Sequence, residues 1–78
     1  MKHNPCIMLD TKMDASIMHA DLLYHGYYVD SYLIISNSIP NEVHGRVYRS
    51  GDQIIMEERC NDYECLQTVY ERRESNEV

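Results

Sequence analysis

Three cysteines and four histidines are the residues of this 78-residue chain with the most versatile chemistry. His3-x2-Cys6 and Cys60-x4-Cys65 supply two pairs of N/S donors, enough in number for tetrahedral zinc. Their spacing argues against it. Zinc knuckles use C-x2-C, and an expected helix over the last third would carry Cys65 a turn away from a strand-end Cys60. No metal or other cofactor is therefore expected. Thiol catalysis would need a thiolate and a base within hydrogen-bond reach. Cys60 or Cys65 with His44 or His25 supplies the residue types, but Glu57, Glu58, Asp62 and Glu64 favour the neutral thiol. The glycines at 26, 45 and 51 are isolated, and no phosphate-cradling loop or nucleophile elbow is present. The expectation is a protein without catalytic residues.

Recognition chemistry is better represented. The stretch Tyr27–Ser36, YYVDSYLIIS, alternates with period 2. In that register Tyr28, Asp30, Tyr32 and Ile34 share one face, and Val29, Ser31, Leu33 and Ile35 the other. A following strand, EVHGRVYRS over 42–50, adds His44, Arg46 and Tyr48 to the tyrosine face. Rigid rings with polar tips beside an arginine are frequent anchors of protein interfaces. A second core layer beneath the N-terminal helix would use the same residues. The acids form a second candidate set: Glu57, Glu58 and Glu64, with Glu71 and Glu74 further along. They would meet a basic partner surface; a solvated face with Arg72 and Arg73 as counter-charges is the plainer alternative.

The elements needed to position these groups follow from local signals. Asp14–Tyr24 reads as a helix, capped by Asp14 and stopped at Gly26. Cys6–Leu9 is a short strand or a lead-in to it. Asn37-Ser-Ile-Pro-Asn41 and Ser50-Gly51-Asp52 are turns, and Gln53–Arg59 is a third strand. Asn61 with Glu64 three residues on resembles a capping box, and Tyr63, Leu66, Val69, Tyr70 and Arg73 recur at helical spacing. The expected fold is α+β, a three-stranded antiparallel meander with an N-terminal and a C-terminal helix in the order α-β-β-β-α. Residues 1–78 form a single domain, with 1–5 and 74–78 frayed. Its core would comprise Val29, Leu33, Ile35, Val43, Val47, Ile54 and Met56 under Leu66, Val69 and Ile17.

Composition narrows the partners. Net charge is −6, which disfavours direct contact with phosphate backbones or anionic membranes. Double-stranded-RNA-binding domains share the α-β-β-β-α order but need basic residues at the last helix start; Asn61-Asp62-Tyr63-Glu64 would repel phosphates there. Seven Tyr and five Met, with no Trp or Phe, suit a domain that completes its burial against a partner. No apolar run approaches the ~20 residues of a membrane span. An odd cysteine count without a signal peptide points to the cytoplasm.

In length, charge, the YYVDSYLIIS strand and the acidic NDYECLQTVYERRESNE end, the chain resembles the small acidic phage-encoded inhibitors of bacterial defence, anti-CRISPR proteins among them. That resemblance implies a non-enzymatic module that inhibits or adapts a protein with a basic surface, such as a nucleic-acid-processing complex. A homodimer paired through its sheet edge or tyrosine face is the alternative.

Overall fold

The computed structural model describes residues 6–73. Within them lie one helix and one five-stranded sheet: β1 (Cys6–Leu9), α1 (Lys12–Tyr24), β2 (Tyr27–Ser36), β3 (Gly45–Ser50), β4 (Gln53–Arg59) and β5 (Glu64–Arg72). Neighbours in the order β1-β3-β4-β5-β2 are all antiparallel. The two edge strands therefore run parallel to each other, with the β3-β4-β5 meander between them. Such a pair cannot be joined by a hairpin, and α1 makes the crossing over one face.

The expected three-stranded sheet flanked by two helices is thus corrected in two ways. Cys6–Leu9 is an edge strand, pairing with Gly45–Tyr48. The segment read as a C-terminal helix is β5, which fills the slot between β4 and β2. Leu66, Thr68 and Tyr70 alternate with Cys65, Gln67 and Val69, so its apolar positions fit period 2 as well as period 3.6. Thr68, Val69 and Tyr70 also favour strands. The supposed cap at Asn61 is genuine chemistry in another setting. Its side-chain oxygen accepts from the Tyr63 and Glu64 amides, as an N-cap would, but the chain then turns back as the β4–β5 connection.

Local signals at α1 operate one turn earlier than expected. Thr11, not Asp14, is the N-cap: its hydroxyl accepts from the Asp14 amide, and the Asp14 carboxylate accepts from the Thr11 amide. Asp14 is the far partner of this capping box. Gly26 ends the helix at φ +91°, a left-handed conformation open to glycine.

Between helix and sheet lies a core of Leu9, Ala15, Val47, Met56 and Tyr70, extended by Met18, Leu22, Tyr27, Val29 and Ile54. Of the residues expected in it, Leu33, Ile35, Val43, Leu66, Val69 and Ile17 are elsewhere; Val69 pairs Ile55 on the opposite face. A β-bulge at Asp30 shifts the register, so that Val29 faces Tyr70 but Ser31 faces Val69. The extra residue reverses the alternation. Val29 therefore shares the helix-bearing face with Tyr32 and Ile34, while Leu33 and Ile35 join Tyr28 on the opposite face. Ile17 lies on the solvent side of α1. The strand expected over 42–50 begins only at Gly45.

Gly45 opens β3 where strand backbones meet most closely; a Cβ there would press into the Glu57 carbonyl oxygen. Main chain cannot swing aside as a flexible side chain can. Gly45→Ala should lower unfolding free energy by about 1–3 kcal/mol, read as a lower urea midpoint with an unchanged slope. A midpoint within error of the parent would show that the two strands separate freely there.

Candidate partner-binding surface

Opposite the helix, Glu57 is buried to 3% exposure in the middle strand-pair of the sheet. An ionised carboxylate in such a position needs donors on every side. Arg46 Nε reaches Oε1 at 2.8 Å, the Tyr48 hydroxyl donates to Oε2 at 2.8 Å, and the Gln67 amide adds a bond of 3.3 Å. Burial pushes the Glu57 pKa up, but the Tyr48, Arg46 and Gln67 hydrogen bonds outweigh it, and the net shift is downward. The partners move in step. Tyr48 is pushed up to about 12 by burial and its bond to Glu57, and Arg46 is held above its ordinary value chiefly by the same carboxylate.

This cluster also fastens the long β2–β3 connection across the open face. Arg46 donates to the Ser38 hydroxyl at 2.9 Å, and Arg59 donates to the Pro40 and Val43 carbonyls. Ile39 is thereby buried. Arg46, Tyr48 and Glu57, expected as parts of a docking face, are members of a closed clamp with their hydrogen-bonding capacity turned inward.

The remaining expected contact residues are scattered. Tyr28 lies opposite the helix, with the Arg73 guanidinium 4.6 Å above its ring. Tyr32 is on the other face, so the three tyrosines do not form one surface. His44 precedes β3 and is half-buried, its Nε2 3.3 Å from Glu58 Oε1. Glu64 caps the start of β5 and accepts from Asn61. Glu71, at the far end of that strand, accepts from Gln53 at 2.8 Å. Glu74 lies outside the described residues, as does His3 of the first donor pair. Among the described residues no three His, Cys, Asp or Glu side chains converge as a metal site. Cys65 is fully buried, and burial followed by the nearby Glu57 charge pushes its thiol up; that is the environment of an inert thiol. His44 engages Glu58 on the helix-bearing face, whereas Cys65 occupies the other.

What the structure does bring together is the free edge of β2 and a groove beside it. Tyr32, Leu33 and Ile34 are between 52% and 63% exposed, and they project from both faces of an edge that no other strand among the described residues pairs. On the helix-bearing side, Ser16 and His19 of α1 and Tyr32 wall a depression of about 240 Å³ floored by Met56, Leu66, Thr68 and Tyr70. His19 Nδ1 and the Tyr70 hydroxyl are hydrogen-bonded at 2.8 Å, and burial, with Glu58 and Tyr32 nearby, lifts the Tyr70 pKa to about 12. The wall is thus set by a neutral phenol. Glu58 adds a carboxylate to the rim. Asp30 stands at one end of the free edge, with Asp62 and Glu64 at the other, where Ser36 pairs Glu64.

Tyr32 was within reach of sequence reading; Leu33, Leu66 and His19 were not. One signal could have found the first: Tyr32-Leu-Ile-Ile35 is apolar at four consecutive positions, hence on both faces. Compared with protein families, curated proteins and solved structures, the chain matches none. Among the described residues no helix is long and apolar enough to cross a membrane.

The clamp has a pH signature. Because the folded Glu57 carboxyl titrates below its ordinary 4.5, its stabilisation is complete above that value and is lost as pH falls through the lower folded one. Glu57→Gln should lower stability at pH 7 by about 2 kcal/mol, with the gap to the parent narrowing below pH 4.5. Urea titrations at pH 3 and pH 7 measure this; an equal gap at both would mean that Glu57 is not held ionised.

Proposed function

We propose that this protein is a non-enzymatic binding module that captures an extended, basic segment of another protein along the free edge of β2. One observation carries the reading. A strand apolar on both faces belongs in the interior of a sheet, yet β2 is an edge strand with Tyr32, Leu33 and Ile34 in solvent. Proteins that must keep an edge unpaired blunt it with lysine, proline, charges or a bulge along the strand, and β2 has its bulge and its one charge at Asp30. Between Ser31 and Ser36 there is no such residue.

An added strand would satisfy the free backbone groups of that edge, and its side chains would meet Leu33 and Ile35 on one face and Tyr32 and Ile34 on the other. The groove floored by Leu66 and Met56 would take a larger side chain from the same segment. Charge selects the partner. Asp30, Glu58, Asp62 and Glu64 bracket the edge and favour lysine or arginine at both ends of the incoming strand. Two antiparallel copies of β2 would instead bring Asp30 of one copy toward the acidic end of the other. Basic segments of nucleic-acid-processing proteins have the required chemistry, and binding there would inhibit or adapt them. The strongly perturbed side chains are consistent with this role, because Glu57, Tyr48 and Tyr70 are committed to holding the scaffold.

A synthetic heptapeptide of alternating Val and Thr with Lys at both ends serves as the probe. Its addition should protect the Ser31–Ser36 amides from hydrogen exchange, and Leu33→Lys or Ile34→Lys should weaken binding at least tenfold. Protection elsewhere, or affinity unchanged in both variants, would dispose of the strand-addition reading. A parent dimer in light scattering that Leu33→Lys converts to monomer would replace the basic partner with a second copy.

A further inference from the structure

Helix α1 carries a second apolar stripe, on the side turned away from the sheet. Its inner stripe, Ala15, Met18, His19 and Leu22, meets the core and the groove. Met13, Ile17, Ala20 and Tyr24 follow one another at spacings of four, three and four, the a/d rhythm of a helix seam. At about 100° per residue they fall on one line, diametrically opposite the inner stripe. Met13, Ile17 and Tyr24 are 70%, 54% and 87% exposed. A helix apolar on two opposite sides is ordinarily covered on both, and an aligned patch of this kind marks an interaction site more often than scattered apolar residues do.

Charge on the margins of the stripe indicates what covers it. Asp14 and Asp21 occupy the same margin, one on each of two successive heptads; the opposite margin carries Lys12, Ser16 and Leu23. In an antiparallel pairing of two copies, like margins face each other, so Asp14 of one copy would stand beside Asp21 of the other. A parallel pairing would align two helix dipoles and bring together two chains of charge −6. A foreign helix with lysine or arginine on its facing margin gains at Asp21, and at Asp14 beyond the bond its carboxylate accepts from the Thr11 amide.

We infer that the outer face of α1 is a docking surface for an amphipathic helix of another protein, one with apolar residues at heptad spacing and a basic flank. The surface is separate from the β2 edge, being on the solvent side of the helix rather than at the sheet margin. It does not rest on the strand-addition reading. The two surfaces are addressed by different partner conformations, one helical and one extended.

The probe is a four-heptad synthetic peptide with Leu at a and d and Lys at e and g, with a second peptide carrying Glu in place of Lys. The Lys peptide should shift the backbone amide resonances of residues 12–24 and leave those of β2 in place. Ile17→Glu and Tyr24→Glu should each weaken binding at least tenfold while circular dichroism stays that of the parent, since both side chains are largely in solvent. The Glu peptide should bind at least tenfold more weakly than the Lys peptide. Shifts mapping to β2, equal affinity for the two peptides, or full affinity in Tyr24→Glu would each overturn the inference. So would a parent dimer in sedimentation equilibrium that Ile17→Glu dissociates, which would identify a second copy as the occupant.

Discussion

Two parallel edge strands with three strands between them can be connected only by a segment that crosses a whole face of the sheet. Everything distinctive about this small fold follows from that constraint. The crossing from β1 to β2 is made by α1, so one face receives a helix and a core. The return from β2 to β3 must pass over β5 and β4, so the opposite face receives an irregular connection. An irregular segment on a sheet face brings unpaired carbonyls with it. Arg59 meets that need at Pro40 and Val43, while Arg46 ties down the connection through the Ser38 hydroxyl and is itself held by Glu57. The buried ion pair is therefore a consequence of topology. In a meander with hairpins throughout, a carboxylate at Glu57 would have nothing to organise.

One helix of thirteen residues cannot cover five strands. It shelters Val47, Ile54, Met56 and Tyr70 and leaves the corner at Leu66, Tyr32 and Ile34 open. The bulge at Asp30 decides what that corner contains, since without it Tyr32 and Ile34 would lie on the other face. A single inserted residue thus places an aromatic ring and a branched aliphatic next to the groove. The outer side of α1 is a separate surplus of apolar surface. Both suit a chain of this size, which buries only about 60% of what its unfolded form exposes and gains by completing its core against another molecule. Acids flank both patches, Asp30, Glu58, Asp62 and Glu64 beside β2 and Asp14 and Asp21 on α1.

Aromatic and cationic residues that looked like recognition chemistry turn out to divide by function. Tyr48 and Arg46 are spent on a buried carboxylate, and Tyr28 and Tyr27 lie beneath Arg73 and Arg72, which secure the junction of β2 with the end of β5. Tyr32 alone of the three expected tyrosines presents its ring to solvent as an anchor would. The distinction is not one of residue type. It depends on whether a neighbour brought by the fold occupies the hydroxyl, as Glu57 does for Tyr48, or the ring face, as Arg73 and Arg72 do for Tyr28 and Tyr27.

Local chemistry was written plainly in the residues. The helix after Thr11 and its stop at Gly26, the strand over Tyr27–Ser36, the turn at Gly51 and the strand over Gln53–Arg59 all rest on short-range hydrogen bonds and period-2 or period-3.6 patterning, which a linear string carries. The composition likewise settles the acidic charge of the surface. Tertiary structure alone decided the rest. Glu64–Arg72 satisfies either period, and only the vacancy between β4 and β2, with backbone partners on both sides, makes it a strand. The Asn61 side-chain oxygen accepts from the same two amides in a helix cap or in a turn, so its signal cannot choose between them. The Asp30 bulge and the position of β2 at the edge involve partners tens of residues away, and the donors to Glu57 come from the two neighbouring strands, 9 to 11 residues off; such pairings have no local signature to read.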